Sequence, residues 1–149
     1  MSYLIGTAAI IVLIFVMQLS YVQIVDNLWV DMVKRQLKEI TDQVSDTLAN
    51  LYFLVNSTTS EVALEKVLTL PSTVRGSTYQ VEIEKNSTTG FAQRIHAYIK
   101  RRSTVDSSSW LPPGLTRDDG AYTIESGGRI VVASCSRLAT NVRVRLDYA

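Results

Sequence analysis

Charge, helix breakers and chemically versatile side chains are all scarce in this sequence. Residues 1–25 contain no Asp, Glu, Lys or Arg, and neither Gly nor Pro occurs from Thr7 to Leu70. The lack of charge excludes an ordinary water-exposed start to the chain, because such a segment aggregates without lipid or partners. The lack of Gly and Pro removes the two residues that most strongly interrupt helices. The first third of the chain is therefore compatible with one long helix that begins apolar.

The residues that carry most catalytic and metal chemistry are almost missing. Cys135 is the single cysteine and His96 the single histidine. One cysteine excludes an internal disulfide. We predict that Cys135 is a small buried residue, with an intermolecular bridge or a reactive thiol as the alternative. A lone histidine with no Cys or His partner at ligand spacing is typical of a surface or packing residue, so His96 predicts no metal site.

Several function classes lack support. The sequence has no GxSxG nucleophile motif and no glycine-rich phosphate loop, and Asp118-Asp119-Gly120 is typical of a turn rather than a calcium loop. The 149 residues carry 15 Lys and Arg against 14 Asp and Glu, so no basic field indicates nucleic acid, and Lys100-Arg101-Arg102 is predicted to be a solvated loop. We expect a protein that is not an enzyme and that uses no cofactor or metal.

The apolar segment is long. Tyr3 to Val25 reads YLIGTAAIIVLIFVMQLSYVQIV, and about 20 apolar residues suffice to cross the hydrocarbon core of a bilayer. The run is too long for a cleavable secretory signal and has no basic residue before it. We therefore expect either that Met1 is the start of a protein with one membrane span or that a leader has been removed. Gly6 and the pair Ala8-Ala9 are small enough to let neighbouring helices approach closely.

Beyond Asp26 the helical pattern continues and becomes amphipathic. Lys34, Arg35, Lys38 and Asp42 fall between apolar residues at helical spacing, and Lys38 and Asp42 form an i, i+4 pair. The apolar residues form one stripe: Val33, Leu37, Ile40, Val44, Leu48, Leu51 and Val55. Two interpretations stay open. The stripe packs on the C-terminal domain, at least in its last third, or it packs on other subunits.

After a polar cluster at 56–59 the chain reads as short strands. Thr78–Glu84 and Asn141–Tyr148 alternate strictly between apolar and polar residues, which is typical of half-buried strands. Phe91–Lys100 is a less regular strand, and Glu61–Leu70 is compatible with a strand or a short helix.

The remaining segments predict connections. Ser103–Gly114 is rich in Ser and Pro and predicts a loop, whereas Ser126-Gly127-Gly128 predicts a tight hairpin between Ala121–Glu125 and Arg129–Ala133. Five or six antiparallel strands predict a small sheet or sandwich. We thus predict an α+β fold with two parts. Residues 1–56 form the helix, apolar over 1–25 and amphipathic over 26–56, and residues 57–149 form a β-rich domain.

Two segments match the N-glycosylation sequon. Asn56-Ser57-Thr58 and Asn86-Ser87-Thr88 both lie in predicted surface turns, where a glycan could be attached. The alternative is plain turn chemistry, because Asn, Ser and Thr are ordinary turn residues. Asn56 and Asn86 are therefore candidate glycosylation sites.

With these features in place, the chain resembles the archaeal type IV pilin and archaellin superfamily. The resemblance lies in the run GTAAIIVLIFVMQLSYVQIV at residues 6–25, in its unbroken continuation over 26–55, and in the β-rich domain with sequons. Residue 5 is Ile, where many bacterial pilins have a glutamate, and this favours the archaeal branch. The family's basic leader is not seen, so the resemblance implies a processed chain.

The resemblance implies assembly. Before assembly, subunits reside in the cytoplasmic membrane, and a pilus assembly machinery transfers them to an extracellular filament. Their helices bundle in the core of this filament, which serves adhesion or motility. Expected partners are identical subunits, the membrane before assembly, and surface or glycan ligands. The alternative is a single-pass anchored β-domain, an accessory protein of a pilus, archaellum or cell envelope. The candidate assembly residues share the apolar segment: Leu4, Ile5, Gly6, Ala8, Ala9, Ile10, Ile11, Val12, Leu13, Ile14, Phe15, Val16, Met17, Leu19 and Val22.

Overall fold

The computed structural model describes residues 2–138 and 141–149, without the side chains of Ser2, Leu4 and Ile5. It confirms the predicted α+β class. Within the described residues there is one α-helix followed by eight strands. Their bounds are α1 Ser2–Asn56, β1 Ala63–Leu68, β2 Tyr79–Lys85, β3 Ala92–Ile99, β4 Arg102–Trp110, β5 Leu115–Arg117, β6 Thr123–Glu125, β7 Val131–Leu138 and β8 Asn141–Tyr148.

The helix ends where the polar cluster begins. A helix leaves its last carbonyl groups without partners inside the helix, and the residues that follow α1 supply them. The Ser57 amide donates to the Phe53 carbonyl at 3.1 Å. The Ser57 hydroxyl donates to the Leu54 carbonyl and the Thr58 hydroxyl to the Val55 carbonyl, both at 2.7 Å. The hydroxyl-bearing residues after Asn56 therefore terminate the helix by capping it.

The chain divides into two compact units, Met1–Met32 and Val33–Ala149. The second part of α1 therefore belongs to the same compact unit as the strands. All seven residues of the apolar stripe are buried there: Val33, Leu37, Ile40, Val44, Leu48, Leu51 and Val55. This finding favours the interpretation in which the stripe packs on the chain's own β-domain.

The strands form two four-stranded sheets, with the orders β1-β7-β8-β5 and β4-β3-β2-β6. All neighbours are antiparallel except β5 and β8, which run parallel. Strict alternation is realised in β2 and β8, where every second side chain is buried. The alternating buried residues are Tyr79, Val81 and Ile83 in β2 and Val142, Val144 and Leu146 in β8.

The predicted hairpin at Ser126-Gly127-Gly128 is wrong. β6 before these residues pairs with β2, and β7 after them pairs with β1 and β8. The segment thus links the two sheets and does not join neighbouring strands. Gly128 has a positive φ of 72°, which glycine adopts without strain. A glycine in this conformation fits a connection between two sheets as well as it fits a hairpin turn.

The predicted loop at Ser103–Gly114 is also largely wrong, because β4 occupies most of it. Ser109 of this strand is buried against α1 and bonds to it. The Lys38 ammonium donates to the Ser109 hydroxyl at 2.9 Å, and the Ser45 hydroxyl donates to the Trp110 carbonyl at 2.7 Å. Lys38 also forms the expected ion pair with Asp42 at 2.7 Å. Partial desolvation raises the pKa of Asp42, but hydrogen bonds from Lys38 and Ser109 outweigh it and hold that pKa below its usual value.

Cys135 is buried in β7. Burial disfavours the charged thiolate and raises the pKa of this thiol to about 11. The location matches the prediction of a small buried residue, and a thiol with this pKa is a weak nucleophile at neutral pH.

Candidate assembly surface

The described residues of the first compact unit are helical, and their apolar side chains are exposed from Gly6 to Leu28. Leu4 and Ile5 are helical, but their side chains lie outside the described part of the structure. Every other candidate assembly residue is helical and exposed: Gly6, Ala8, Ala9, Ile10, Ile11, Val12, Leu13, Ile14, Phe15, Val16, Met17, Leu19 and Val22. A continuous apolar surface of this kind marks a membrane or protein interaction site.

Among the described residues, α1 is the one helix that is long and apolar enough to cross a membrane. Its most apolar window of 18 residues has a mean hydropathy of 2.3, and none of that window is buried by the rest of the chain. The surface is therefore left for lipid or for another molecule to cover.

The hydroxyl groups of Thr7 and Ser20 in the apolar segment are satisfied within the helix. The Thr7 hydroxyl donates to the Tyr3 carbonyl at 2.8 Å, and the Ser20 hydroxyl donates to the Val16 carbonyl at 2.9 Å. Both are bonds to the residue four positions earlier, a pattern that Ser and Thr adopt inside helices. Because these hydroxyls already have partners, moving this segment from water into an apolar environment leaves neither of them unpaired.

Gly6 creates a local depression on this surface. Tyr3, Gly6, Thr7 and Ile10 line a groove, and a Cβ atom added at Gly6 meets nothing within 4 Å. The chain itself therefore does not require glycine at this position. A neighbouring helix would require it, because small residues let helix backbones approach each other closely.

The two candidate glycosylation sites differ in their surroundings. Asn56 is the last residue of α1 and is exposed. Asn86 is half-buried in the turn between β2 and β3, where its side-chain oxygen accepts a hydrogen bond from the Thr88 amide at 2.8 Å. That oxygen is the turn-forming atom, and the amide nitrogen is the atom that carries an N-linked glycan.

The structure brings together one group of side chains that the sequence analysis did not connect. His96 lies on β3 beside Glu82 and Glu84 of β2, with ligand-type atoms all within 4.8 Å of one another. The signal was present in the sequence. Folding β2 and β3 as a hairpin about the 86–90 turn places Glu82 opposite His96, whereas a search for Cys or His at short spacing finds nothing.

No model of a known protein family, no curated protein and no solved structure matches this chain significantly. The functional argument therefore depends on the surface just described and on the architecture, a long apolar N-terminal helix followed by a small β-sheet domain that is consistent in shape with a pilin-like fold.

Proposed function

We propose that this protein is a structural subunit of an extracellular type IV pilus-like filament and that it polymerises through the apolar part of α1. One observation carries the proposal. A charge-free helical surface is exposed over the whole of residues 6–25, on a chain whose other apolar helical stripe is buried. Identical subunits can bury this surface against each other, because the same helix supplies both sides of every contact.

Assembly moves residues 6–25 between two environments of similar polarity, the bilayer and the filament core. Before assembly, the bilayer shelters residues 6–25, and in the filament, neighbouring helices do. Transfer between them gains little from leaving water and is driven by close packing between helices. Ile, Val, Leu and Phe supply packing area on this surface, while Gly6, Ala8 and Ala9 permit close approach. Once packed, the helices exclude water, and returning each large side chain to water would cost about 1.5–3 kcal/mol.

The second compact unit also supports a multi-subunit arrangement. It exposes large apolar side chains on the helix and on the sheets: Phe53, Leu54, Val67, Phe91, Trp110, Ile130 and Leu138. In the filament we propose, neighbouring subunits cover the members of this set that lie on the helix, and the rest of the β-domain faces the medium, where it serves adhesion or motility.

A structural rather than a catalytic role is part of the proposal. The histidine nitrogens face the carboxylates of Glu82, Glu84 and Asp106, and Cys135 is buried with a raised pKa. Both environments are compatible with the structural role that we propose.

Gly6→Leu is expected to impair polymerisation and to leave the folded subunit unchanged. A Cβ atom added at this position meets nothing within 4 Å in its own chain, but a leucine would overpack a close helix–helix contact, which typically costs about 1–3 kcal/mol. The critical concentration for assembly should rise about tenfold. Pelleting after detergent removal measures that concentration.

The matched control for this substitution is Gly127→Leu. Gly127 lies in the link between the sheets, has no positive φ, and also has nothing within 4 Å of an added Cβ. The control should assemble like the unmodified protein. Equal assembly of Gly6→Leu and Gly127→Leu would argue against a close contact at Gly6.

Glycosylation is the second prediction that follows from an exposed filament subunit. We expect the mature chain to carry N-linked sugar at Asn56, Asn86 or both. Asn56 is the stronger candidate because it is exposed, whereas Asn86 is half-buried. The intact mass of the mature protein, compared with those of Asn56→Gln and Asn86→Gln, measures the modification. A mass equal to that of the bare polypeptide would contradict it.

A second candidate function is a single-pass membrane anchor for the β-domain, as in an accessory protein of a pilus, archaellum or cell envelope. The chain's own sheets bury the apolar stripe that runs from Val33 to Val55. This burial favours the anchor, because the amphipathic part of α1 then needs no other subunit to cover its apolar side chains. In that case lipid alone covers residues 6–25.

Detergent removal separates the two functions. The purified full chain, solubilised in detergent and then dialysed with or without lipid, should form thin fibres in both conditions if it is a filament subunit. An anchor should form vesicle-embedded molecules with lipid and amorphous aggregates without it.

A further inference from the structure

The outer face of the second sheet carries a cluster of carboxylates around the single histidine. Val81 and Ile83 point into the core, so strand alternation places Glu82 and Glu84 on the opposite face. Glu82 lies directly opposite His96 in the β2–β3 register. The cluster therefore sits on two hydrogen-bonded strands, a rigid base for a binding site.

The three side chains each bring one ligand-type atom to within 4.8 Å of the other two. His96 Nδ1 lies 3.3 Å from Glu82 Oε1 and 3.1 Å from Glu84 Oε1. In a tetrahedral zinc site with bonds of about 2.0–2.1 Å, neighbouring ligand atoms lie roughly 3.3–3.4 Å apart. The two nitrogen–oxygen distances thus match a set of ligands that share one metal ion.

The second ring nitrogen of His96 is also fixed by a carboxylate. His96 Nε2 lies 3.0 Å from Asp106 Oδ2 on β4. Histidines that bind a metal through one nitrogen usually donate the other N–H to a carboxylate or carbonyl group, which sets the tautomer and orients the ring. Arg94 plays a similar part for Glu84, since its guanidinium bonds to Oε2 and leaves Oε1 directed at His96.

The electrostatics of this arrangement call for a cation. A neutral imidazole has one N–H and one lone pair. If Nε2 carries the hydrogen, the lone pair of Nδ1 faces Glu82 and Glu84, and if Nδ1 carries it, the lone pair of Nε2 faces Asp106. Either neutral tautomer therefore sets a lone pair against a carboxylate. A metal ion bound at Nδ1, with the hydrogen on Nε2 facing Asp106, removes that repulsion.

We propose that this cluster binds a divalent transition-metal ion of the zinc class, with His96 Nδ1 and one oxygen each of Glu82 and Glu84 as ligands. Nitrogen and carboxylate ligands together suit zinc and its neighbours, whereas calcium and magnesium prefer oxygen ligands alone. The partial exposure of the three side chains leaves the remaining coordination position open to water or to a ligand from outside the chain.

The proposal concerns the β-domain and is independent of filament formation. Its test is zinc titration of the full chain in detergent, without a polyhistidine tag, against a chromogenic zinc chelator. The unmodified protein should compete for one equivalent of zinc. His96→Ala should lose this competition, and Glu84→Gln should weaken it at least about tenfold. Asp106→Asn, which alters only the group that orients the ring, should weaken it about tenfold to a hundredfold.

The matched control is Glu65→Gln, which removes an exposed carboxylate of β1, a strand of the other sheet. It should bind zinc like the unmodified protein. Cobalt(II) provides a second readout, since its visible absorption reports nitrogen and oxygen coordination and should vanish in His96→Ala. Circular dichroism shows whether each variant is folded. Equal zinc binding by the unmodified protein and a folded His96→Ala variant would overturn the proposal.

Discussion

Replacing Ile14 with aspartate is expected to abolish filament assembly from detergent-solubilised protein. Ile14 lies in the middle of the apolar segment and is 49% exposed in the single chain. In a bundle of identical helices this side chain would be buried without a charged partner. An uncompensated buried carboxylate costs about 3 kcal/mol or more, which corresponds to a rise in critical concentration on the order of 100-fold.

The matched control is Ile130→Asp, because Ile130 is an isoleucine of similar exposure, 58%, just before β7. Both substitutions place a carboxylate at an exposed apolar position, but only one lies on the helix. Fibre yield after detergent removal, measured by pelleting and microscopy, should collapse for Ile14→Asp and persist for Ile130→Asp. Normal fibres from Ile14→Asp would show that the apolar segment is not the core of the polymer.

Leu48→Ala is expected to destabilise the β-domain strongly. Leu48 belongs to the buried stripe and is 0% exposed. Truncating a buried leucine to alanine removes apolar burial and leaves a cavity, at a typical cost of about 2–5 kcal/mol. Urea unfolding of the full chain in detergent, followed by Trp fluorescence and circular dichroism, measures the loss as a lower transition midpoint.

Leu54→Ala is the control for that experiment, since Leu54 lies on the same helix but is 57% exposed. Its free energy of unfolding should change by no more than about 0.5 kcal/mol. The pair tests whether the second part of α1 is the core of the subunit itself. Equal, small effects of the two substitutions would mean that the stripe packs on other subunits, contrary to the structure.

The helix and the alternating strands could be predicted from local pattern. The seven stripe residues from Val33 to Val55 carry a helical period, and the cluster at 56–59 supplies the hydroxyls that terminate α1. β2 and β8 have one buried and one solvated face, so period-two alternation is visible in their sequences. Where one face of a helix or strand is buried and the other is not, the periodicity of apolar residues in the sequence predicts that element.

β4 could not be recognised in the same way. Within it Val105 is the one large aliphatic residue, and the serines that follow would ordinarily indicate a loop. Their role depends on a partner distant in sequence: Ser109 is buried against α1 and bonds to Lys38. A strand whose packing partner is a polar stretch of helix carries no local signal of being a strand.

The connection between the two sheets could not be predicted from the sequence for a related reason. A glycine-rich segment between two short strands indicates a change of direction, but not whether the second strand returns beside the first. β6 lies at the edge of one sheet beside β2, whereas β7 lies inside the other sheet between β1 and β8, and local sequence does not distinguish these two outcomes. The parallel contact of β5 with β8 is likewise set by tertiary packing.

The two candidate sites also differ in whether the sequence alone predicts them. The assembly surface is continuous in sequence, so composition alone marks it. The Glu82, Glu84 and His96 cluster is created by strand register and is invisible to a search for ligands at short spacing. Whether the protein is a filament subunit or a membrane anchor depends on what covers residues 6–25. That is a property of the assembly and not of one chain.

Electron microscopy of material sheared from cells that express the protein, with mass spectrometry of the main protein band, tests the central claim most directly. The account predicts abundant thin fibres whose principal component is this chain. Sheared fractions without such fibres, together with recovery of the chain as detergent-soluble single molecules from the membrane fraction, would contradict it.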